Sequence, residues 1–311
     1  MTDLIVIQKI AGWEKLKTLV LDSVSSPITK RVYKDVLQVA GVEAGSLKGT
    51  MATRPAIFKW RHTEPVLILC AVRWYLRYSL SLRDVEELLE ERGLQANHTT
   101  VWRWVQRYAP ELEQRLRRYL KPTNKSWRVD ETYVRVQGRW CYLYRAIDSA
   151  GATIDFLLSG LRDADSAKRL FRNALRDRSH PQPRVINTDL VPIYGAAIAD
   201  IKKEGILRRR CRHRPVQYLN NILEQDHRAI KRRVNAKQGF REFQAARRTI
   251  QGYEAMNMIR KGQIRWMSGD DVLCQIRFIR KLFDLATRDR DSSLPSSQFC
   301  QPFIVATHPK G

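Results

Sequence analysis

The chain has 311 residues, 43% of them hydrophobic, enough for one large domain or two to three small ones. Its 56 lysines and arginines against 32 acids leave a net charge of +24, which suits a polyanionic partner, nucleic acid above all. No apolar run approaches a membrane span, no secretory signal opens the chain, and the five cysteines stand far apart. A membrane protein, a zinc ribbon and a disulfide scaffold are therefore not indicated, and a cytoplasmic location is expected. A generically basic protein, such as a ribosome-associated one, has the same balance. The arginine clusters, "RRRCRHR" at 208–214 and "RLRRYLK" at 115–121, favour specific phosphate contact.

In chain order, residues 1–50 read as a separate piece, with one helix around "SPITKRVYKDVLQVA" and a linker "GVEAGSLKG". Residues 51–121 read as a DNA-binding region, with three helical patterns over 62–109. "EPVLILCAVRWYLRYS" is apolar enough for a core helix. "SLRDVEELLEERG" has Ser81 as N-cap, Asp84 at the capping-box position and Gly93 at its end. "TTVWRWVQRYAP" places Val101, Val105 and Tyr108 on one face, and Pro110 is expected after its last turn. Two short helices around a Gly-containing turn suggest a helix-turn-helix, whose later helix would present Thr100, Arg103 and Arg107 to DNA. A plain three-helix bundle has the same pattern; the basic and hydroxyl-bearing outward positions favour DNA.

From residue 127 the period becomes alternating. "WRVDETYVRVQGRWCYLYRAID" reads as a hairpin turning at Gln137-Gly138, and "GATIDFLLSG" as a third strand. A helix "DADSAKRLFRNALRDR", a buried strand "RVINTD", a helix "PIYGAAIADIKKEG" and a further helix "YLNNILEQDHRAIKRRV" follow, with room for another strand before the last. The fold expected over 122–238 is α/β, a mixed sheet carrying helices. Residues 239–287 read as a helical region and 288–311 as a poorly ordered tail.

Three acids stand out by position. Asp130 lies inside the first strand, Asp189 closes the buried strand, and Glu224 lies near the start of a helix. Sites in open α/β sheets gather at carboxyl ends of strands, which suits Asp189. Phosphodiester chemistry needs hard oxygen ligands for Mg²⁺, and a few carboxylates in a basic surround supply them. Each acid alone could equally be half of an ion pair. Glu131 follows Asp130 on a strand and points to the opposite face, so only one of the two is expected in the cluster. Asp226 diverges from Glu224 by roughly 200° of helical rotation and falls on the apolar side with Ile222, Ile230 and Val234. His227, Arg228 and Lys231 share the Glu224 side.

These residues resemble a known family. Asp130, Asp189 and Glu224 are separated by 58 and 34 intervening residues, a spacing similar to that of DDE transposases with an RNase H-like catalytic domain. The words "VDETYVRVQGRWCYLYRAID", "INTD", "YLNNILEQDHRAIKRR" and "TIQGYEAMNMIRKGQ" resemble the IS6 group of insertion-sequence transposases over about 60–287. The resemblance implies a metal-binding and catalytic triad of Asp130, Asp189 and Glu224, with two Mg²⁺ ions during catalysis and Mn²⁺ as a substitute. It implies Lys231 on DNA near the site, where Arg228 is expected to join it from the same helix face, a homodimer at terminal inverted repeats, and cointegrate-type cleavage and strand transfer into target double-stranded DNA. Leu190 departs from the pattern, standing where a Lys commonly follows the second Asp. Residues 1–50 have no counterpart in typical members and resemble, weakly, part of a tyrosine recombinase; a fusion remnant or an extra DNA-contacting arm is expected. The rival readings are a catalytically silent, domesticated DNA-binding regulator and a nuclease acting on RNA–DNA hybrids.

Overall fold

The computed structural model describes residues 55–59, 63–177, 180–216, 228, 230–234 and 240–285. Residues 1–50 and 288–311, and the expectations placed on them, lie outside the described residues.

Helix α1 (Pro65–Arg77) begins with Pro at its first turn, where a missing N–H costs nothing. Helix α2 (Leu82–Glu90) carries the expected capping box: Ser81 Oγ accepts from the Asp84 amide and Asp84 Oδ2 from the Ser81 amide. Gly93 ends it with φ +71, in the left-handed region that glycine adopts freely. Helix α3 (His98–Leu116) is capped by Asn97 and does not stop at Pro110; it continues for another turn and a half beyond it. The proline removes a backbone bond at a cost of about 3 kcal/mol. Burial of Leu112 and Leu116 on the continuing helix offsets that, at about 1.5–3 kcal/mol each.

The sheet follows. Strands β1 (Ser126–Val136) and β2 (Arg139–Asp148) form the hairpin, turning at Gln137 (φ 52) and Gly138 (φ 75). Two successive positive φ angles match the twist of a two-residue hairpin turn. Strand β3 (Thr153–Ser159) pairs antiparallel with β2. After helix α4 (Ala164–Arg176), strand β4 (Val185–Thr188) returns beside β1 in parallel, and after helix α5 (Pro192–Lys203) the short β5 (Arg212–Pro215) joins β4. The order is β3-β2-β1-β4-β5, a mixed sheet of the RNase H-like kind. Residues 228 and 230–234 are helical, and helices α6 (Phe243–Arg260) and α7 (Val272–Leu282) complete the described chain.

The sheet separates two apolar cores. On one face Trp127, Val129, Tyr144 and Ile186 pack under α4 and α5. On the other, Val134, Val136, Leu143 and Leu158 pack with α1, α3, α6, α7, Ile230 and Val234 in one continuous core. Helix α6 is therefore buried on nearly every side. It passes α3 so closely that a Cβ on Gly252 would meet Ala109 Cβ and Leu76 at 2.7 Å.

This second core contains charge. Arg145 on β2 and Glu254 on α6 are both fully buried. Arg145 Nη2 donates to Glu254 Oε2 at 3.0 Å, and Nε lies 2.6 Å from Oε1 in a charge contact that is not aligned as a hydrogen bond. Nearby, Arg117 bridges Glu113 (2.5 Å) and Asp155 of β3 (2.7 Å). Burial pushes the Glu113 carboxyl above its ordinary range, against the pull of Arg117. Among the described residues, no helix is long and apolar enough to cross a membrane.

Removing one partner of a buried pair strands the other charge. Arg145→Ala should destabilise the protein by about 3–5 kcal/mol in urea denaturation, whereas Arg145→Met with Glu254→Leu should recover most of that loss. A double variant no more stable than Arg145→Ala would contradict this account.

Candidate catalytic centre

Strand β1 carries Asp130 and Glu131 at the middle of the sheet, and β4 runs parallel beside it. Asp189 is the residue after β4, where the chain turns toward α5. Its carboxylate is held by the Val191 amide, which donates to Oδ1 at 3.2 Å. Asp130 Oδ1 accepts from the Glu131 amide at 2.9 Å. Thr188, just before Asp189, shares a 2.9 Å hydrogen bond between its hydroxyl and His213 Nε2 on β5. Two neighbouring strands thus deliver two carboxylates to one place.

Glu131 joins them. One carboxylate oxygen from each of Asp130, Glu131 and Asp189 lies within 4.8 Å of the others. The expectation that only one of Asp130 and Glu131 could take part is corrected here. Their side chains leave opposite faces of β1, yet their carboxylates still meet in one cluster with Asp189. It is held there at both oxygens: Arg162 Nη2 lies 2.5 Å from Oε1, and the Tyr194 hydroxyl of α5 donates to Oε2.

Electrostatics follow from the crowding. Burial, then the charge of Glu131, raises Asp130 from its ordinary 3.8 to about 7. Burial also raises Asp189. Burial and the neighbouring Glu131 push the Tyr194 phenol well above its usual range, so it stays a donor. An all-oxygen set of crowded carboxylates fits a hard divalent cation, whose charge would relieve the repulsion that now favours protonated Asp130. Among the described residues, Asp130, Glu131 and Asp189 are the group that could hold it.

Glu224 lies outside the described residues, as do Asp226 and His227. On the helical residues that follow, Arg228 and Lys231 are exposed while Ile230 and Val234 are buried, the division expected from helical spacing. Leu190 is exposed beside Asp189. On α3, Arg103 and Arg107 are exposed. Thr100 is half-buried, and its hydroxyl donates to the capping Asn97 at 2.8 Å. Trp102, which the spacing did not single out, is exposed on the same helix. Sequence reasoning also missed Arg162 and Tyr194; the available signal for Tyr194 was its position one turn into the helix that follows Asp189.

Comparison with known proteins bears on this geometry. A family described as a DDE domain matches residues 124–263. A transposase for the insertion sequence-like element IS431mec of Staphylococcus aureus is 41% identical over 204 residues, covering 66% of this chain and 88% of that protein. The transposase for insertion sequence element IS257 in transposon Tn4003, also of Staphylococcus aureus, matches with the same identity and coverage. Among solved structures, the HTLV-2 integrase catalytic core domain in complex with magnesium is 17% identical, covering 47% of this chain and 95% of its own, with a TM-score of 0.36. The Mos1 strand transfer complex covers 88% of this chain and 90% of its own at 10% identity, with a TM-score of 0.27. Superpositions this loose carry no weight for function here.

The raised Asp130 couples stability to pH. Between about pH 4 and pH 7 the folded protein keeps a proton that the unfolded chain has released, so stability falls as pH rises through that window. Asp130→Asn removes the penalty. At pH 8 it should be more stable than the wild type by about 2–4 kcal/mol in the absence of divalent ions, and no more stable at pH 4. Adding Mg²⁺ or Mn²⁺ at pH 8 should raise the melting temperature of the wild type more than that of the variant. Identical pH profiles for the two proteins would remove the crowding account.

Proposed function

The chain belongs to the IS6 family of DDE transposases, and we propose that Asp130, Asp189 and Glu224 are its catalytic, metal-binding triad. It is an insertion-sequence transposase, a metal-dependent polynucleotidyl transferase. The observation that carries the triad assignment is the meeting of Asp130 and Asp189 from adjacent parallel strands, with ligand oxygens within 4.8 Å. Glu224 enters by its spacing from Asp189 and by the exposed cations, Arg228 and Lys231, that follow it.

Bound Mg²⁺, or Mn²⁺ in its place, as one or two ions, supplies Lewis-acid stabilisation of the attacking and leaving oxygens of an in-line displacement. The chain's own groups do the rest. Asp130 and Asp189 are each oriented by a backbone amide, of Glu131 and Val191 respectively. Glu131 holds Arg162 at the rim, where a guanidinium can fork onto a phosphate. Arg228 and Lys231 contribute further phosphate contacts. Water attacks the phosphodiester at the element's end and the P–O3′ bond breaks, leaving a 3′-hydroxyl. That hydroxyl attacks a phosphodiester of the target DNA; the new O–P bond joins the strands as the target's own P–O3′ bond breaks and its 3′-oxygen leaves as a hydroxyl, without a covalent protein intermediate.

Helices α2 and α3 form the helix-turn-helix that reads the terminal inverted repeats, through Arg103 and Arg107 with Thr100 at the start of the helix. A homodimer would bring two ends together for cointegrate formation. The alternative, a catalytically silent DNA-binding regulator, shares every feature except the need for three acids.

Asp130→Asn, Asp189→Asn and Glu224→Gln should each lower strand cleavage and transfer on an inverted-repeat substrate by roughly 10³-fold or more, with repeat binding retained. Wild-type cleavage by Glu224→Gln would sink the triad assignment. Arg103→Ala with Arg107→Ala should weaken repeat binding on the order of 10- to 100-fold and flatten its salt dependence. Equal wild-type affinity for the repeat and for random duplex would count against sequence reading by α3.

A further inference from the structure

The β1–β2 hairpin has an unusual solvent face. Its register sets three cross-strand pairs in line on that face: Glu131 opposite Tyr144, Tyr133 opposite Tyr142, and Arg135 opposite Trp140. The first pair lies at the acid centre. The next two step away along the strand by about 6.6 Å each. Helices α4 and α5 bury Tyr144, and the half-buried Tyr142 packs against the same core. Past Tyr142 the face opens to solvent. Tyr133 is 45% exposed and Trp140 58%.

An exposed strand face is ordinarily polar, and this one is aromatic. The rings are organised. Tyr133 stands edge-on to Trp140 at 6.1 Å and tilted to Tyr142 at 5.4 Å. The Arg135 guanidinium lies 5.8 Å from the centre of the Trp140 ring. The opposite face is anchored, since Val134, Val136, Cys141 and Leu143 are buried in the helical core. The tip is braced as well: the Gln137 amide donates to the Phe240 carbonyl at 2.7 Å and the Phe240 amide to the Arg135 carbonyl at 3.0 Å. So this is a rigid platform.

Charge selects its occupant. Residues 132–143 contain two arginines, Arg135 and Arg139, and no acid. Arg162 stands at the start of the row, bound to Glu131. A second copy of a chain with net charge +24 would meet repulsion here. An unpaired stretch of DNA strand would not: its bases present π-faces to Tyr133 and Trp140, and its phosphates meet the arginines.

We infer that the aromatic row Tyr142–Tyr133–Trp140 with Arg135 is a stacking surface for unpaired nucleotides, receiving a DNA strand separated from its partner next to the acid centre. The inference rests on the transposase reading, since it takes the acid centre to act on a DNA strand. It adds a requirement to that reading: the end being cut is locally unpaired, and the protein holds the freed bases.

The test uses the full-length protein with chelator present, so that no cleavage occurs. A fluorescein-labelled oligo-dT of about 15 nucleotides and a random duplex of the same length serve as probes in anisotropy titrations. Trp140→Ala and Tyr133→Ala should weaken oligo-dT binding on the order of 10- to 100-fold and leave duplex binding within about threefold. Trp140→Phe, which keeps a ring, should stay close to wild type. Unchanged oligo-dT affinity in both alanine variants would overturn the proposal. So would an equal loss on single strand and duplex, or a change confined to the sedimentation coefficient, which would mark the row as a contact between copies. Asp130→Asn separates the two readings: it should bind oligo-dT as the wild type does and, in a separate assay with Mg²⁺ on an inverted-repeat substrate, fail to cleave. Cleavage by Asp130→Asn would reject the catalytic assignment and leave the stacking result to stand or fall on the alanine variants.

Discussion

The buried pair between Arg145 and Glu254 ties the two halves of this fold together. Arg145 projects from the middle of the sheet and Glu254 from the middle of α6, and neither touches solvent. Each charge would be prohibitively costly there without the other. Helix α6 must therefore lie at one angle and one height against β2. Once α6 is fixed, α3 is fixed by the close approach at Gly252, and α1 and α7 by the core they share with it. Helix α3, which carries Arg103 and Arg107, and the helices packed with it are thus built onto the face of the sheet opposite α4 and α5. They are not a bead on a separate string.

The same sheet holds a second concentration of charge. Asp130, Glu131 and Asp189 crowd together beside Arg162, and burial raises both aspartates. The two charge clusters illustrate opposite uses of burial. The inner one is neutralised by arginine and serves architecture. The rim one gathers three carboxylates into a set of oxygens that suits a hard cation. Glu131 divides the work, with its two oxygens on Arg162 and Tyr194, so that the cluster stays compact without collapsing onto the arginine.

Much of this was legible in the sequence. The capping box at Ser81 and Asp84, the hairpin turn at Gln137-Gly138 and the strand-ending Asp189 depend on local chemistry, and local chemistry is written in neighbouring residues. Helical spacing separated Arg228 and Lys231 from Ile230 and Val234 correctly. Pro110 misled because its local cost is real, while the burial that outweighs it comes from α6, well over a hundred residues further along the chain. Glu131 misled for a related reason. The pleat directs its Cβ away from Asp130, but the position of its carboxylate is decided by Arg162 and Tyr194.

The sequence by itself determined the element order, the basic character and the two aspartates that strand topology brings side by side, because periodicity, turn residues and charge act over short range. Only the tertiary structure decided which acids share one place, which face of the hairpin stays open, and where buried charge finds its partner. Those outcomes depend on contacts between residues far apart in the chain, and the spacing of residues along one strand or helix does not contain them.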